Sequence, residues 1–241
     1  MSILLNGDCL EELKELDEAS VDLIFCDLPY GQTNCKWDCK INLAELWAEI
    51  LRIKKTNTPI FFTTTTKFGV ELINSAPKKC PFRYDIVWAK SQPTGFLLAK
   101  KMPLRKHEMV YVFYEKLPFY DLSSHKHKFV KHKENTAEES KTDTYGKLKR
   151  CVDGKVGVYD PLLPTSILEV KVSRGNHPTE KPVALIEWLL KYFSKEGDVV
   201  LDPTMGSGSA GVACRNLNRN FIGIEKDGEI FHTALQRIEG V

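Results

Sequence analysis

What this sequence lacks removes several classes of protein at once. No apolar run approaches the ~18 residues of a bilayer-crossing helix, so a membrane span is not expected. The opening MSILLNGD has neither a basic segment nor a long apolar stretch, so it does not read as a secretory signal. The seven cysteines, at 9, 26, 35, 39, 80, 151 and 214, are odd in number and scattered. That excludes a regular disulfide framework and fits a reducing cytoplasm. Cys35 and Cys39 are not joined by a second pair or a nearby histidine, so no metal site is expected. There is no internal repeat, and no G-x-G-x-x-G, which counts against a nicotinamide dinucleotide.

What is present suits one large α/β domain: 241 residues, 42% hydrophobic and 27% charged, are enough to bury a sizeable core. The chain is organised around Val21–Tyr30, VDLIFCDLPY. Its apolar part reads as a buried strand, and Asp27-Leu28-Pro29-Tyr30 stands at the strand's carboxyl end, where open α/β sheets bind ligands. A carboxylate beside apolar residues needs a use; the ordinary alternative is a turn whose Asp caps the next helix. Further strands are expected near Ile3–Leu5, Pro59–Thr64, Tyr84–Ala89, Met109–Tyr114, Val199–Leu201 and Phe221–Ile224. Thr66 is expected to cap a helix carrying Phe68, Val70, Leu72 and Ile73, and Pro182 to sit in the first turn of another. Seven strands interleaved with helices predict a doubly wound α/β sheet.

Near the C-terminus, a strand, the loop Asp202-Pro203-Thr204-Met205-Gly206-Ser207-Gly208, a helix, a second strand and Glu225 follow in order. Gly206 and Gly208 let the backbone approach a ligand, and the following helix start offers free N–H groups. Glu225 is spaced to take paired ribose hydroxyls. A lone Gly-x-Gly is more often a tight turn; the acid at this distance is what favours a nucleoside.

Taken together, these loops resemble the S-adenosylmethionine-dependent amino-methylating DNA methyltransferases, whose catalytic tetrad is D/N/S-P-P-Y/F/W. Asp27-Leu28-Pro29-Tyr30 matches it with leucine for the first proline. Asp202–Gly208 matches the family's glycine loop, with Thr204 where phenylalanine is usual. His177-Pro178-Thr179-Glu180-Lys181-Pro182 is similar to the segment that embraces the cofactor's methionine end, and Asn6-Gly7-Asp8-Cys9 to the adenine-contacting loop. The tetrad precedes the glycine loop, the circularly permuted order of the family's β group. The resemblance implies a seven-stranded, Rossmann-like, circularly permuted sheet. It implies catalytic roles for Asp27, Leu28, Pro29 and Tyr30, with Asp27 and the Leu28 carbonyl accepting from the target amine and Tyr30 stacking on a flipped base. The cofactor residues it implies are Asp8, Cys9, Asp27, His177, Thr179, Lys181, Pro182, Asp202, Thr204, Gly206, Ser207, Gly208, Glu225 and Lys226. An Asp-led tetrad favours adenine N6; cytosine N4 and a silent DNA-binding module stay open. The resemblance also leaves room for a homodimer and a cognate restriction endonuclease. His107-Glu108 is similar to a segment near the target base, and Trp37-Asp38 is a candidate for ordering the loop over it.

By organisation, residues 1–115 form the catalytic half, 116–165 a target-recognition insert and 166–241 the cofactor half. From Lys90 to Arg150 there are 14 Lys/Arg against 7 Asp/Glu, leaving 20 against 25 elsewhere. A local +7 on an otherwise acidic body points to double-stranded DNA as partner. Lys90, Lys100, Lys101, Arg105, Lys126, Lys128, Lys131 and Lys133 are the candidate phosphate contacts. His125, His127 and His132 read as solvated or phosphate-adjacent.

Overall fold

The structure, a computed structural model, describes residues 1–31, 40–131, 140–142, 146–148, 155–171 and 180–240. In chain order these form β1 (Ser2–Asn6), α1 (Cys9–Glu12), β2 (Leu23–Cys26), α2 (Leu43–Ile53), β3 (Ile60–Thr64), α3 (Thr66–Ser75), β4 (Phe82–Thr94) and β5 (Arg105–Phe113). They continue with β6 (Lys126–Lys131), β7 (Ser140–Thr142), β8 (Gly146–Leu148), β9 (Lys155–Asp160) and β10 (Ile167–Val170). The last elements are α4 (Val183–Phe193), β11 (Val199–Asp202), α5 (Ser209–Asn216), β12 (Asn220–Glu225) and α6 (Gly228–Glu239). No helix among the described residues is long and apolar enough to cross a membrane.

Two compact units result: Met1–Tyr120 with Ser166–Val241, and Asp121–Thr165. The first holds an eight-stranded sheet ordered β1-β12-β11-β2-β3-β5-β4-β10, parallel except for β5. The doubly wound sheet expected from the sequence is therefore present, with one strand more. The eighth, β10, is a short edge strand whose ILEV is only half covered, too weak a pattern to stand out.

The central strands explain themselves. All four residues of β2 and all five of β3 are buried, as befits parallel strands covered on both faces. Side chains alternate: Ile24, Cys26, Ile60 and Phe62 join a core with Leu13, Leu46, Trp47, Ile50 and Leu72 from the α1–α3 side. Phe61 points the other way, its ring 5.1 Å from that of Phe193 on α4. On the first face Trp47, Phe62 and Phe113 meet edge to face at 5.3–5.7 Å.

Helix starts follow side-chain caps. Asn42 accepts from Ala44 N at 3.1 Å at the head of α2. At α3 the cap is Thr65, accepting from Phe68 N at 3.3 Å, one residue earlier than expected. Only Phe68, Gly69 and Leu72 of that helix are buried, and Val70 and Ile73 face solvent. Pro182 is the residue before α4 rather than within its first turn.

Permutation is visible in the pairing. β1 lies parallel to β12 in register Ser2↔Phe221 through Asn6↔Glu225, and the Met1 amino group donates to Asn220 Oδ1 at 3.0 Å.

The second unit carries the antiparallel pairs β6–β9 and β7–β8. Strand β6 is HKHKFVK from its preceding histidine, and the polar alternation hid it. His125 is buried, its Nδ1 donating to the Pro161 carbonyl at 2.9 Å, which corrects the expectation of a solvated ring. His127 is exposed and packs on Tyr159.

Candidate active site

The loops leaving β1, β2, β11 and β12 gather at the carboxyl ends of the parallel strands, and Asp27 is at their centre. Its Oδ1 accepts from the Thr63 hydroxyl, which is buried on β3, and lies 3.0 Å from the Tyr30 hydroxyl. Its Oδ2 accepts from Lys181 Nζ at 2.5 Å. Its backbone carbonyl accepts from the Thr204 hydroxyl at 3.1 Å. Residues 154 and 177 positions away thus converge on Asp27, one on its carboxylate and the other on its backbone carbonyl.

Lys181 is held between two acids. Its side chain is 11% exposed, and Nζ lies 3.8 Å from Glu108 Oε2 as well. Burial works against its charge, yet Asp27 and Glu108 prevail and hold its pKa above the ordinary lysine value. Glu108 pairs through Oε1 with Lys90, so Asp27, Lys181, Glu108 and Lys90 form a line of alternating charge. Glu108 Oε2 is buried without a hydrogen-bond partner among the described residues.

The Leu28 side chain is buried in the core, while Pro29 and Tyr30 are half-buried. The Tyr30 ring packs against Phe68 at 5.2 Å, and its hydroxyl also lies 3.0 Å from the Thr63 carbonyl. Burial first, then the Asp27 charge, pushes its phenol well above the usual range.

Beside this cluster lies the glycine loop. Asp202 is buried and accepts from Thr204 N at 3.1 Å; burial, then the charges of Asp27 and Glu225, raises its pKa well above the carboxylate range despite that bond. Gly206 has φ +52°, and a Cβ there would meet nothing within 4 Å, so the loop faces open space at this point. Gly208 differs: its φ is +82°, and a Cβ would come within 2.9 Å of Ile238 on α6. The second glycine thus serves helix packing, while the first leaves open space beside the loop. Ser207 is buried, accepting from Arg237 Nη1 at 3.1 Å; Arg237 also pairs with Glu180 and so ties this loop to the segment before α4.

Glu225 stands beside the glycine loop. Its Oε2 accepts from Gly206 N at 3.0 Å and its Oε1 from Asp227 N at 2.8 Å. Each oxygen keeps a lone pair for a further donor. Asp8 caps α1, accepting from Leu10 N at 3.0 Å, and pairs with exposed Lys226 at 3.0 Å. Buried Cys9 has its thiol pushed up to about 12, mainly by desolvation. At the opposite, amino ends of the strands, a hollow lined by Asp22, Lys55 and Asp198 spends its charges on internal ties such as Lys55–Asp22 at 2.7 Å.

A family model described as DNA methylase (N6 and N4 methyltransferases) matches residues 21–236. The chain belongs to this DNA methylase family. The methylase is 27% identical to the type II methyltransferase M.HinfI of Haemophilus influenzae over 100% of the chain and 69% of that protein. It is 28% identical to the DNA adenine methyltransferase YhdJ of Escherichia coli over 98% of the chain and 82% of that protein. Among solved structures, the M1.HpyAVI–SAM complex shares the fold with a TM-score of 0.64 at 24% identity, covering 99% of the chain and 100% of its own.

Of the residues singled out from the methylase sequence, Asp27, Tyr30, Lys181, Thr204, Gly206 and Glu225 come together around the β2 and β11 ends. His177, Thr179, Lys133, His132, Trp37 and Asp38 lie outside the described residues, as do Cys35, Cys39 and Cys151. Lys90 is corrected: engaged with Glu108 and 11% exposed, it is no surface cation. Lys100 and Lys101 are exposed and Arg105 half-buried in the β4–β5 hairpin; Lys126 and Lys128 are exposed on β6, Lys128 pairing with Asp160, and Lys131 ends that strand. Sequence reasoning missed Thr63, the Thr204 tie and the Arg237–Glu180 clamp. The threonines gave no signal because a hydroxyl's partner depends on which strands become neighbours.

Proposed function

We propose that this methylase transfers the methyl group of S-adenosylmethionine to the N6 amine of adenine in duplex DNA. The observation that carries the reading is the Asp27 carboxylate, fixed at the β2 end by Thr63, Tyr30 and Lys181 and joined through Thr204 to the glycine loop. The cofactor fits the residues present: Gly206 opens onto free space, and the Glu225 carboxylate flanks it. Gly206 would take the close approach, Glu225 the ribose hydroxyls, and Lys181 with Pro182 would border the methionine end. When bound, S-adenosylmethionine supplies an electrophilic methyl on a sulfonium.

The residues of the chain do the rest. A base amine is a poor nucleophile because its lone pair is conjugated with the ring. Asp27 Oδ2 and the Leu28 carbonyl each accept one N–H, drawing the nitrogen towards tetrahedral geometry and freeing its lone pair. Lys181 keeps a positive charge against Asp27, so the acceptor is preorganised before the base arrives. Methylation makes the amine acidic, and its surplus proton leaves by way of Asp27. A paired base cannot reach this carboxylate and must be flipped out, at a cost of about a few kcal/mol. Leucine in place of the tetrad's first proline still offers its carbonyl, and its side chain is anchored in the core.

Adenine is favoured by the Asp-led tetrad and by the adenine activity in the name of the YhdJ relative. The basic stretch Lys90–Arg150 is proposed to face the target DNA in the cytoplasm, with a homodimer and a cognate endonuclease as further proposals for sedimentation and co-expression to check.

Expression with plasmid DNA in a host lacking DNA methylases, followed by nucleoside analysis, tests the reading. N6-methyladenine is expected from wild type and none from Asp27→Ala, which should still bind cofactor in calorimetry. N4-methylcytosine would correct the base, and unmodified DNA would refute the function.

A further inference from the structure

The β4–β5 hairpin ends in a feature that methyl transfer leaves unused. Every residue from Ser91 to Leu104 is exposed, so this ribbon stands clear of the domain. Its tip is nevertheless built. Gly95, at φ +86°, opens a 3-10 turn over Phe96–Leu98, closed by Leu98 N to Gly95 O at 2.9 Å and Ala99 N to Phe96 O at 3.1 Å. Lys101 N and Met102 N both return to Leu98 O, at 2.8 and 3.0 Å. The result is a hydrogen-bonded knob.

Its surface combines two chemistries. Phe96 is 78% exposed, Leu97 85% and Met102 54%, and the three fall within seven consecutive residues of the hydrogen-bonded tip. Single exposed apolar residues are ordinary, but a contiguous group marks a contact surface. Around them stand Lys100, Lys101, Arg105 and Lys106, with no acid anywhere in residues 91–107. A partner for both must be a polyanion that also offers apolar faces.

Placement selects the partner. Strand β4 runs parallel to β10 and antiparallel to β5, which is antiparallel to β3, so β4 points the same way as β2. The knob therefore leaves the sheet at the end that carries Asp27. The hairpin's base is part of the site: Lys90 on β4 pairs with Glu108, and Glu108 faces Lys181, the partner of Asp27. From Lys90 to Gly95 the chain reaches at most about 17 Å. Between Ala89↔His107 and Thr94↔Arg105 strand β4 has three residues more than β5, a bulge that re-aims the tip.

Resting on the DNA-methylation reading above, we propose that Phe96 and Leu97 form a wedge that enters the base stack beside the extruded nucleotide, with Lys100, Lys101, Arg105 and Lys106 on the flanking phosphates. Apolar side chains driven between base steps are a known means of holding a duplex open. Here the wedge fills the gap left by the flipped base and keeps it from closing during transfer.

The test compares Phe96→Ser/Leu97→Ser and Lys100→Gln/Lys101→Gln with wild type. The substrate is a duplex oligonucleotide carrying whatever site wild type modifies in plasmid DNA, with tritiated S-adenosylmethionine as donor. The target base is either paired or placed opposite an abasic position, where unstacking is largely done already. The serine variant is expected to lose roughly ten- to a hundredfold in kcat/KM on the paired duplex and to recover to within about threefold on the abasic one. The glutamine variant is expected to reduce the log–log salt slope of DNA affinity by about two on both duplexes. The exposed serine positions leave the core untouched, so an unchanged melting temperature is the folding control. Wild-type rates in the serine variant, or equal losses on both duplexes, would overturn the wedge. So would a dimer of the wild type that the serine variant breaks, or a selective loss of binding to phosphatidylglycerol vesicles with DNA rates intact, since the apolar tip would then belong to a second copy or a lipid surface. If wild type leaves DNA unmodified, the methylation reading itself falls, and the wedge with it.

Discussion

Replacing Lys181 with methionine removes the cation that stands between Asp27 and Glu108 while keeping a side chain of similar length. Two carboxylates, 25% and 21% exposed, then face each other across the space that Nζ had filled at 2.5 and 3.8 Å. A hydrogen bond to a charged group is worth about 1.5–3 kcal/mol, the lower end being favoured here because the pair is partly open to water. Loss of the bond that holds Asp27 Oδ2 should therefore lower kcat/KM by about ten- to a hundredfold. Lys181→Arg, which keeps the charge, should retain most of the rate. In wild type the raised lysine pKa stabilises the fold below the unfolded value of about 10.5, and that contribution disappears as pH rises through the folded value. Lys181→Met should accordingly lack this alkaline loss in urea titrations. A wild-type kcat/KM in the methionine variant, with cofactor affinity unchanged, would refute the account of Lys181 as the group that poises Asp27.

Three further substitutions probe the proposed cofactor wall. Glu225→Ala should weaken S-adenosylmethionine binding by roughly 1.5–3 kcal/mol per charge-assisted hydrogen bond lost, read by calorimetry; unchanged affinity would remove the ribose assignment. Gly206→Ala places a methyl in open space at φ +52° and should cost only about 1 kcal/mol of stability while blocking the cofactor. Gly208→Ala should do the opposite and lower stability, through its 2.9 Å clash with Ile238. Equal behaviour of the two would mean that the loop does not divide its work in this way.

Much of this architecture was legible in the chain. The apolar runs around Leu23–Cys26 and Ile60–Thr64 announce central parallel strands because both faces of such a strand must be apolar. Asp27, Gly206 and Glu225 were readable because their positions relative to strand ends are fixed by local sequence. Partnership was not. Nothing near Thr204 says that its hydroxyl will reach the Asp27 carbonyl, and nothing near Lys90 says that it will turn inward to Glu108. Those contacts depend on the sheet order, which brings distant segments side by side. The long polar ends of β4 and β5 were also missed, since SQPT and RKHE carry no apolar alternation. A ribbon that leaves the core has no inner face to encode.

The order in which the sheet is laid down carries one more consequence. Strand β11 lies between β12 and β2, and β1 has β12 as its partner. Asp27 is therefore made 175 residues before Asp202, the start of the loop it must meet. Until then, the growing polypeptide exposes one open flank of β2 and leaves β1 without a neighbour, a template for misassociation that long-range closure removes late. Prematurely terminated translation products of this chain should accordingly be both inert towards DNA and prone to aggregate, so that modification begins only with the finished molecule.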